Sequence, residues 1–216
     1  MWAFTMMFFQ IYRYLKCDNI DYEKYRIPCE PVENDVFVQP YYDSPTDGED
    51  IALNIHLNLI TNAKRYIYIH TPYLVIGDDL RNALALAAKN GVDVRITVPH
   101  IPDKKYVFQI TRHNYHDLIK AGVKIYEYTL GFIHSKLIVV DDEIGMCGTV
   151  NMDFRSYFHH FECGVLIYNS SVIKDMYEDQ MAVFEMSHLV SIDESKNVNI
   201  IVKIVRGILN LFAPLL

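Results

Sequence analysis

The sequence predicts an α/β domain with a mixed, mostly parallel β-sheet flanked by helices on both faces. Three observations carry this. From residue 36 onward, short apolar, β-branched runs alternate with stretches of helical periodicity. Glycines or acidic turn residues separate them, as at Gly91, Gly122 and Asp142-Glu143. No internal repeat interrupts the alternation.

The elements follow in order. The first fifteen residues are apolar, with Arg13 among them and Lys16 next. A spanning helix needs about 20 apolar residues, so these form a buried or surface-docked helix. They lack the basic start and small-residue cleavage site of a secretory signal. Residues 17–35 are charged, contain Pro28 and Pro31, and read as a linker. The expected division is therefore an N-terminal helix and linker over 1–35 and one main domain over 36–216. In that domain, residues 36–38 begin a strand and 48–64 carry Ile51, Ile55 and Leu59 at helical spacing. Residues 66–70 form a strand. Asp78 and Asp79 cap a helix that runs to Asn90, with Gly91 just past its end. A buried strand over 92–98 precedes a helix over 104–121, stopped at Gly122. Residues 123–128 are the next strand, and 137–140 and 144–147 form a hairpin turning at Asp142-Glu143. A strand over 164–168 leads to a helix over 171–186.

The last segment, 197–216, contains Lys203 and Arg206 and no acid. Asn199, Lys203, Arg206 and Asn210 fall at i, i+4, i+7 and i+11, one narrow polar stripe on an otherwise apolar helix. Such a helix either lies in a bilayer interface or packs on its own domain.

Composition narrows the function. Hydrophobic residues are 51% and charged residues 22% of 216, which excludes a disordered or fibrous chain. The formal charge of −7 argues against non-specific nucleic-acid binding, which needs a cationic surface. Aromatic residues at 13% keep a membrane-surface role open. Cys17, Cys29, Cys147 and Cys163 show no CxxC spacing and read as reduced thiols.

The chemistry concentrates in residues 131–156, with His134-x-Lys136-x4-Asp141 followed by Gly148-Thr149-x-Asn151, and with Glu162 just beyond. Alternation on an extended chain puts His134, Lys136 and Ile138 on one side and Ser135, Leu137 and Val139 on the other. An imidazole beside an ammonium suits attack at phosphorus. The imidazole is nucleophilic near neutral pH, and the ammonium holds non-bridging oxygens as charge builds on them. Asn151 can add an amide donor. Glu162 can accept a proton from the second ring nitrogen and fix the tautomer. Ser135 and Thr149 belong with Asn151 and Glu162 as substrate-phosphate binders or supports. His113 and His116, His159 and His160, and His70 are secondary candidates, each readable also as a rim, surface or core residue. The sequence has no dense His/Asp/Glu cluster at ligand spacing, so no metal or other cofactor is expected.

This spacing is that of the phospholipase D superfamily, and the chain resembles the second catalytic half of bacterial cardiolipin synthases over roughly residues 36–216. His70-Thr71-Pro72-Tyr73-Leu74, Gly91-Val92-Asp93-Val94-Arg95, Pro102-Asp103-Lys104-Lys105 and Asn151-Met152-Asp153-x-Arg155-Ser156 carry the resemblance beyond the motif. It implies a phospholipase D-like fold and a phosphatidyl transfer between phosphatidylglycerol molecules, releasing glycerol through a phosphohistidine. It further implies His134, Lys136 and Asp141 as the catalytic set, with Asp141 supporting rather than attacking. A peripheral place on a bacterial cell membrane goes with it.

The family builds one site from two motifs, and this sequence has one His-x-Lys. Either a homodimer or a missing N-terminal half must supply the second. Alternatives are a dimeric phosphodiesterase or nuclease and an inactive remnant.

Overall fold

The computed structural model describes residues 2–16, 20–28, 30, 36–46 and 48–215. In chain order it contains α1 (Trp2–Lys16), β1 (Phe37–Asp43), α2 (Ile51–Asn62), β2 (Tyr66–His70), β3 (Leu74–Val75), α3 (Asp78–Lys89), β4 (Asp93–Pro99), α4 (Lys105–His113), α5 (Tyr115–Ala121) and β5 (Lys124–Tyr128). It continues with β6 (Leu137–Val140), β7 (Ile144–Gly148), β8 (Met152–Asp153), α6 (Phe154–Phe158), β9 (Glu162–Tyr168), α7 (Val172–Glu185), β10 (Ser187–Leu189), α8 (Ile192–Lys196) and α9 (Ile200–Leu211). Cys17, Cys29, Pro31 and about half of the expected linker lie outside the described residues.

The main sheet has the order β1-β9-β7-β6-β2-β4-β5-β10, and β3 pairs with β8 in a small second sheet. The main sheet is mixed, but the expectation of a mostly parallel one is corrected. Among the described residues five of its seven pairings are antiparallel, and only β2·β4 and β4·β5 are parallel. The reason is chain length between strands. Parallel neighbours need a crossover of a dozen or more residues, and α3 and α5 supply it. The three-residue link between β6 and β7 permits only an antiparallel return.

Both faces are covered. Ile67, Ile69, Ile96, Ile138, Met146 and Leu166 point into the larger core with Leu53, Leu80, Leu84 and Leu118 from the helices. Tyr66, Tyr68 and Val139 face the other way and pack under Ile173 and Phe184 of α7. Pro40 sits in β1, an edge strand, where its missing N–H costs no ladder bond.

Two expected elements change at particular residues. The helix over 104–121 is broken at Asn114 into α4 and α5. Asn114 is buried and its Nδ2 donates to Leu74 O at 3.0 Å, while Leu74 N donates to Thr111 Oγ1 at 3.2 Å. These side chains grip the backbone of β3. The hairpin turns at Asp141-Asp142 rather than Asp142-Glu143. Both residues have positive φ, 56° and 62°, and Glu143 N donates to Val140 O at 3.0 Å. That is a type I′ turn, whose twist matches a tight hairpin and which Asp tolerates better than branched residues.

Asp141 fixes this turn to the sheet. Its carboxylate accepts from the backbone N–H of Lys64 at 2.7 Å, Arg65 at 2.8 Å and Tyr66 at 2.8 Å. Asp142 accepts from Arg65 Nη2 at 2.8 Å and Tyr66 OH at 2.6 Å. Removing the Asp141 carboxylate strands three amide donors at the start of β2. Asp141→Ala is expected to lower unfolding stability by about 3 kcal/mol in urea titrations, against less than about 0.5 kcal/mol for His134→Ala at an exposed position.

Candidate active site

Three pieces of chain build the site. One is the extended lead-in to β6, residues 131–136. The second is the end of β7 with the loop through Asn151. The third is the start of β9 at Glu162. The first two line an open depression of about 610 Å³, which takes in His134, Lys136, Cys147, Gly148, Thr149 and Asn151. Ser135 lines it too, half-buried.

The depression is bare at Gly148, and the glycine row continues beneath Tyr41. Gly148 pairs with Gly164, and Gly164 with Tyr41, in one row across β7, β9 and β1. A Cβ at Gly164 would stand 2.6 Å from the Tyr41 ring, and one at Gly148 would stand 2.4 Å from Cys163 O. Tyr41 itself is held by its OH against Met146 Sδ at 3.5 Å. Backbone rather than side chain therefore surfaces beside Lys136.

His134 and Lys136 emerge together, as alternation predicts. Lys136 Nζ lies 3.1 Å from His134 Nδ1 and donates to the His134 carbonyl at 2.7 Å. Phe132 stacks on the imidazole, with ring centroids 5.7 Å apart. Burial and then the Lys136 ammonium push the imidazole below its ordinary range, against a weaker upward pull from Asp103. Burial lowers Lys136 in turn, while Glu162 and Asp153 pull it back. His134 is therefore mostly neutral at pH 7.

Other sequence expectations are redistributed. Asp141 stands at the opposite end of β6, about 16 Å of extended chain from Lys136. Its carboxylate clamps the backbone of β2. Glu162 is buried, but its partners are Thr149 Oγ1 and His160 Nδ1, the latter at 3.4 Å, and no bond joins it to His134. Asn151 donates through Nδ2 to Ser156 Oγ at 3.1 Å, and its amide oxygen is buried without a partner among the described residues. Asp153 accepts from Ser156 N at 2.8 Å and so caps α6 beneath the site. His70 is a core residue, not a rim one. It lies edge-on to Phe184, neither ring nitrogen is hydrogen-bonded among the described residues, and burial lowers it to about 4. His159 donates to Pro214 O at 3.3 Å, and His116 Nδ1 meets Ser195 Oγ at 3.3 Å, away from the depression. No group of three or more His, Cys, Asp or Glu among the described residues could hold a metal ion.

Sequence reasoning missed Phe132, Ser156 and the glycine row. The period-two spacing of Phe132 and His134 was a usable signal for the first. The other two depend on neighbours distant in sequence.

The Lys136 effect on His134 is testable. In a histidine NMR titration, His134 is expected to titrate below an ordinary imidazole. Lys136→Met removes the lowering charge and moves its midpoint upward. An unchanged midpoint overturns the pairing.

Comparison with known proteins places this geometry. Residues 56–182 match the family described as "Cardiolipin synthase, PLD-like domain". The cardiolipin synthase of Alkalihalophilus pseudofirmus is 35% identical over 98% of this chain and 42% of its own length. An uncharacterized protein of Streptococcus mutans is 37% identical over 99% of this chain and 46% of its own. The chain thus spans less than half the length of these relatives. Among solved structures, phosphatidylserine synthase from Haemophilus influenzae superposes with a TM-score of 0.65 at 20% identity, over 85% of this chain and 46% of that one. The phospholipase D family member Nuc of Salmonella typhimurium superposes with a TM-score of 0.61 at 22% identity, over 72% of this chain and 99% of that one. The His134–Lys136 pair therefore stands on a phospholipase D fold, and the chain belongs to the cardiolipin synthase family of phospholipase D-like domains.

Proposed function

We propose that this chain contributes one half of a two-histidine site that transfers a phosphatidyl group between phosphatidylglycerol molecules. The observation that carries the reading is the composition of the mouth. A nucleophile–ammonium pair opens at a rim formed by the exposed ring of Phe132, 38% exposed, which stacks on the imidazole, with Leu130, 70% exposed, two residues before it. Such a rim suits acyl chains. With a net charge of −7, it suits a polyanionic nucleic acid poorly.

In the proposed reaction one histidine attacks the phosphorus of phosphatidylglycerol. A P–N bond forms and the P–O bond to glycerol breaks. The leaving glycerol oxygen takes a proton from the second histidine. The hydroxyl of another phosphatidylglycerol returns that proton and attacks, the P–N bond breaks, and cardiolipin leaves. Lys136 balances the charge on the non-bridging oxygens throughout.

The geometry of a single chain supports a requirement for a second half. Lys136 Nζ occupies the Nδ1 edge of His134, so a neutral ring accepting there keeps its proton on Nε2. Attack through Nε2 needs a carboxylate at Nδ1 instead, and Glu162 of the same chain does not reach it. A second motif-bearing half, another copy or a companion chain, supplies both the missing carboxylate and the missing histidine.

The test is glycerol release and cardiolipin formation from phosphatidylglycerol in mixed micelles. Turnover is expected to rise with the square of chain concentration if another copy completes the site, and to fall at least about a thousandfold in His134→Ala. Folded chain that turns over only with a companion half assigns the second histidine to that companion. Turnover that His134→Ala leaves unchanged overturns the reading. Hydrolysis of a simple phosphodiester without cardiolipin replaces it with a phosphodiesterase.

A further inference from the structure

A helix on a domain surface ordinarily turns its apolar stripe inward. α9 does the opposite. Ile200, Ile204, Ile208 and Leu211 are 67%, 57%, 53% and 78% exposed and share one face. The half-buried side of the helix includes Arg206 and Asn210 of its polar stripe, while Asn199 and Lys203 are exposed. Arg206 Nε donates to Gln109 Oε1 of α4 at 2.9 Å, and Leu209 alongside it packs against the Val75–Ile110–Ala213 cluster. The Ala213–Leu215 turn that follows seats against α6, where Pro214 O accepts from His159 Nε2.

One edge of α9 borders a cleft of about 250 Å³ against α4, α5 and α8. Its lining includes Arg112, His113, His116, Lys196, Lys203 and Arg206, against one carboxylate, Asp117. Among the described residues Lys196, Lys203 and Arg206 form no ion pair. Arg112 is held by Glu127, which His100 and Tyr115 also engage. Burial and the neighbouring Arg112 lower the pKa of Arg206, against weaker upward pulls from Tyr115 and Glu127. Lys203 lies where the polar stripe meets the apolar face, the depth at which a headgroup meets acyl chains.

We infer that α9 docks the chain on an anionic phospholipid bilayer: its apolar face enters the interface, and the cleft beside Lys203 and Arg206 takes the phosphate of a lipid other than the substrate. Charge complementarity selects the occupant, since 197–216 carries two cations and no acid beside an apolar face. The inference rests on the reading that the chain works at a phospholipid surface, and binding is measured without turnover.

The test is flotation of the full chain with vesicles of phosphatidylcholine alone or mixed with phosphatidylglycerol. The unmodified chain is expected to float with the mixed vesicles. Ile204→Gln with Ile208→Gln is expected to weaken this at least about tenfold. Lys203→Gln, at an exposed position, is expected to weaken it about fivefold, and to leave binding to phosphatidylcholine unchanged. His134→Ala should float as the unmodified chain does, so flotation without turnover rejects the catalytic reading and leaves this one standing. No flotation, or no effect of either α9 variant, overturns the inference. A dimer that the paired isoleucine substitution splits, in a chain that does not float, gives the face to a second copy and also overturns it.

Discussion

The seam between β2 and β6 joins the two halves of the sheet. On one side lie the parallel strands β4 and β5, and on the other the antiparallel strands β7, β9 and β1. Asp141 locks that seam at one end by accepting three backbone N–H bonds from the start of β2. The register that follows pairs Val140 with Ile67 and Leu137 with His70. Lys136 and His134 then leave the sheet past the end of β2, on the face opposite buried His70. A slip of one residue would turn both toward α7. The motif acid thus acts at a distance, through register.

With register set, the site is shaped by what is left out. Gly148 leaves backbone beside Lys136, and Tyr41 lies across its partner Gly164. The ammonium is partly desolvated, which strengthens its interaction with an anion and lowers the pKa of the neighbouring imidazole. Glu162 is held nearby by Thr149 and His160, one step from the ring it was expected to orient.

The periphery has a different character. Phe132 covers the imidazole at the mouth, and α9 presents isoleucines outward while a half-buried arginine points inward. No helix among the described residues is long and apolar enough to cross a membrane. These features suit chemistry performed at a lipid surface.

The sequence by itself determined the element order, the α/β class, the hairpin and the adjacency of His134 and Lys136. Each follows from local periodicity or spacing, and local backbone geometry honours it. It also supplied the family, because the motif and its flanking segments are contiguous. Tertiary structure decided the rest. It made the sheet mostly antiparallel, since pairing partners depend on connection length and packing. It broke the helix at Asn114, because a buried amide met the Leu74 carbonyl. It gave Asp141 the backbone donors of β2 and Glu162 the Thr149 hydroxyl, because a carboxylate's partners depend on which donors the fold brings to it. And it turned the apolar face of α9 outward, a choice the stripe of Asn199, Lys203, Arg206 and Asn210 left open, because Gln109 offered Arg206 a partner inside.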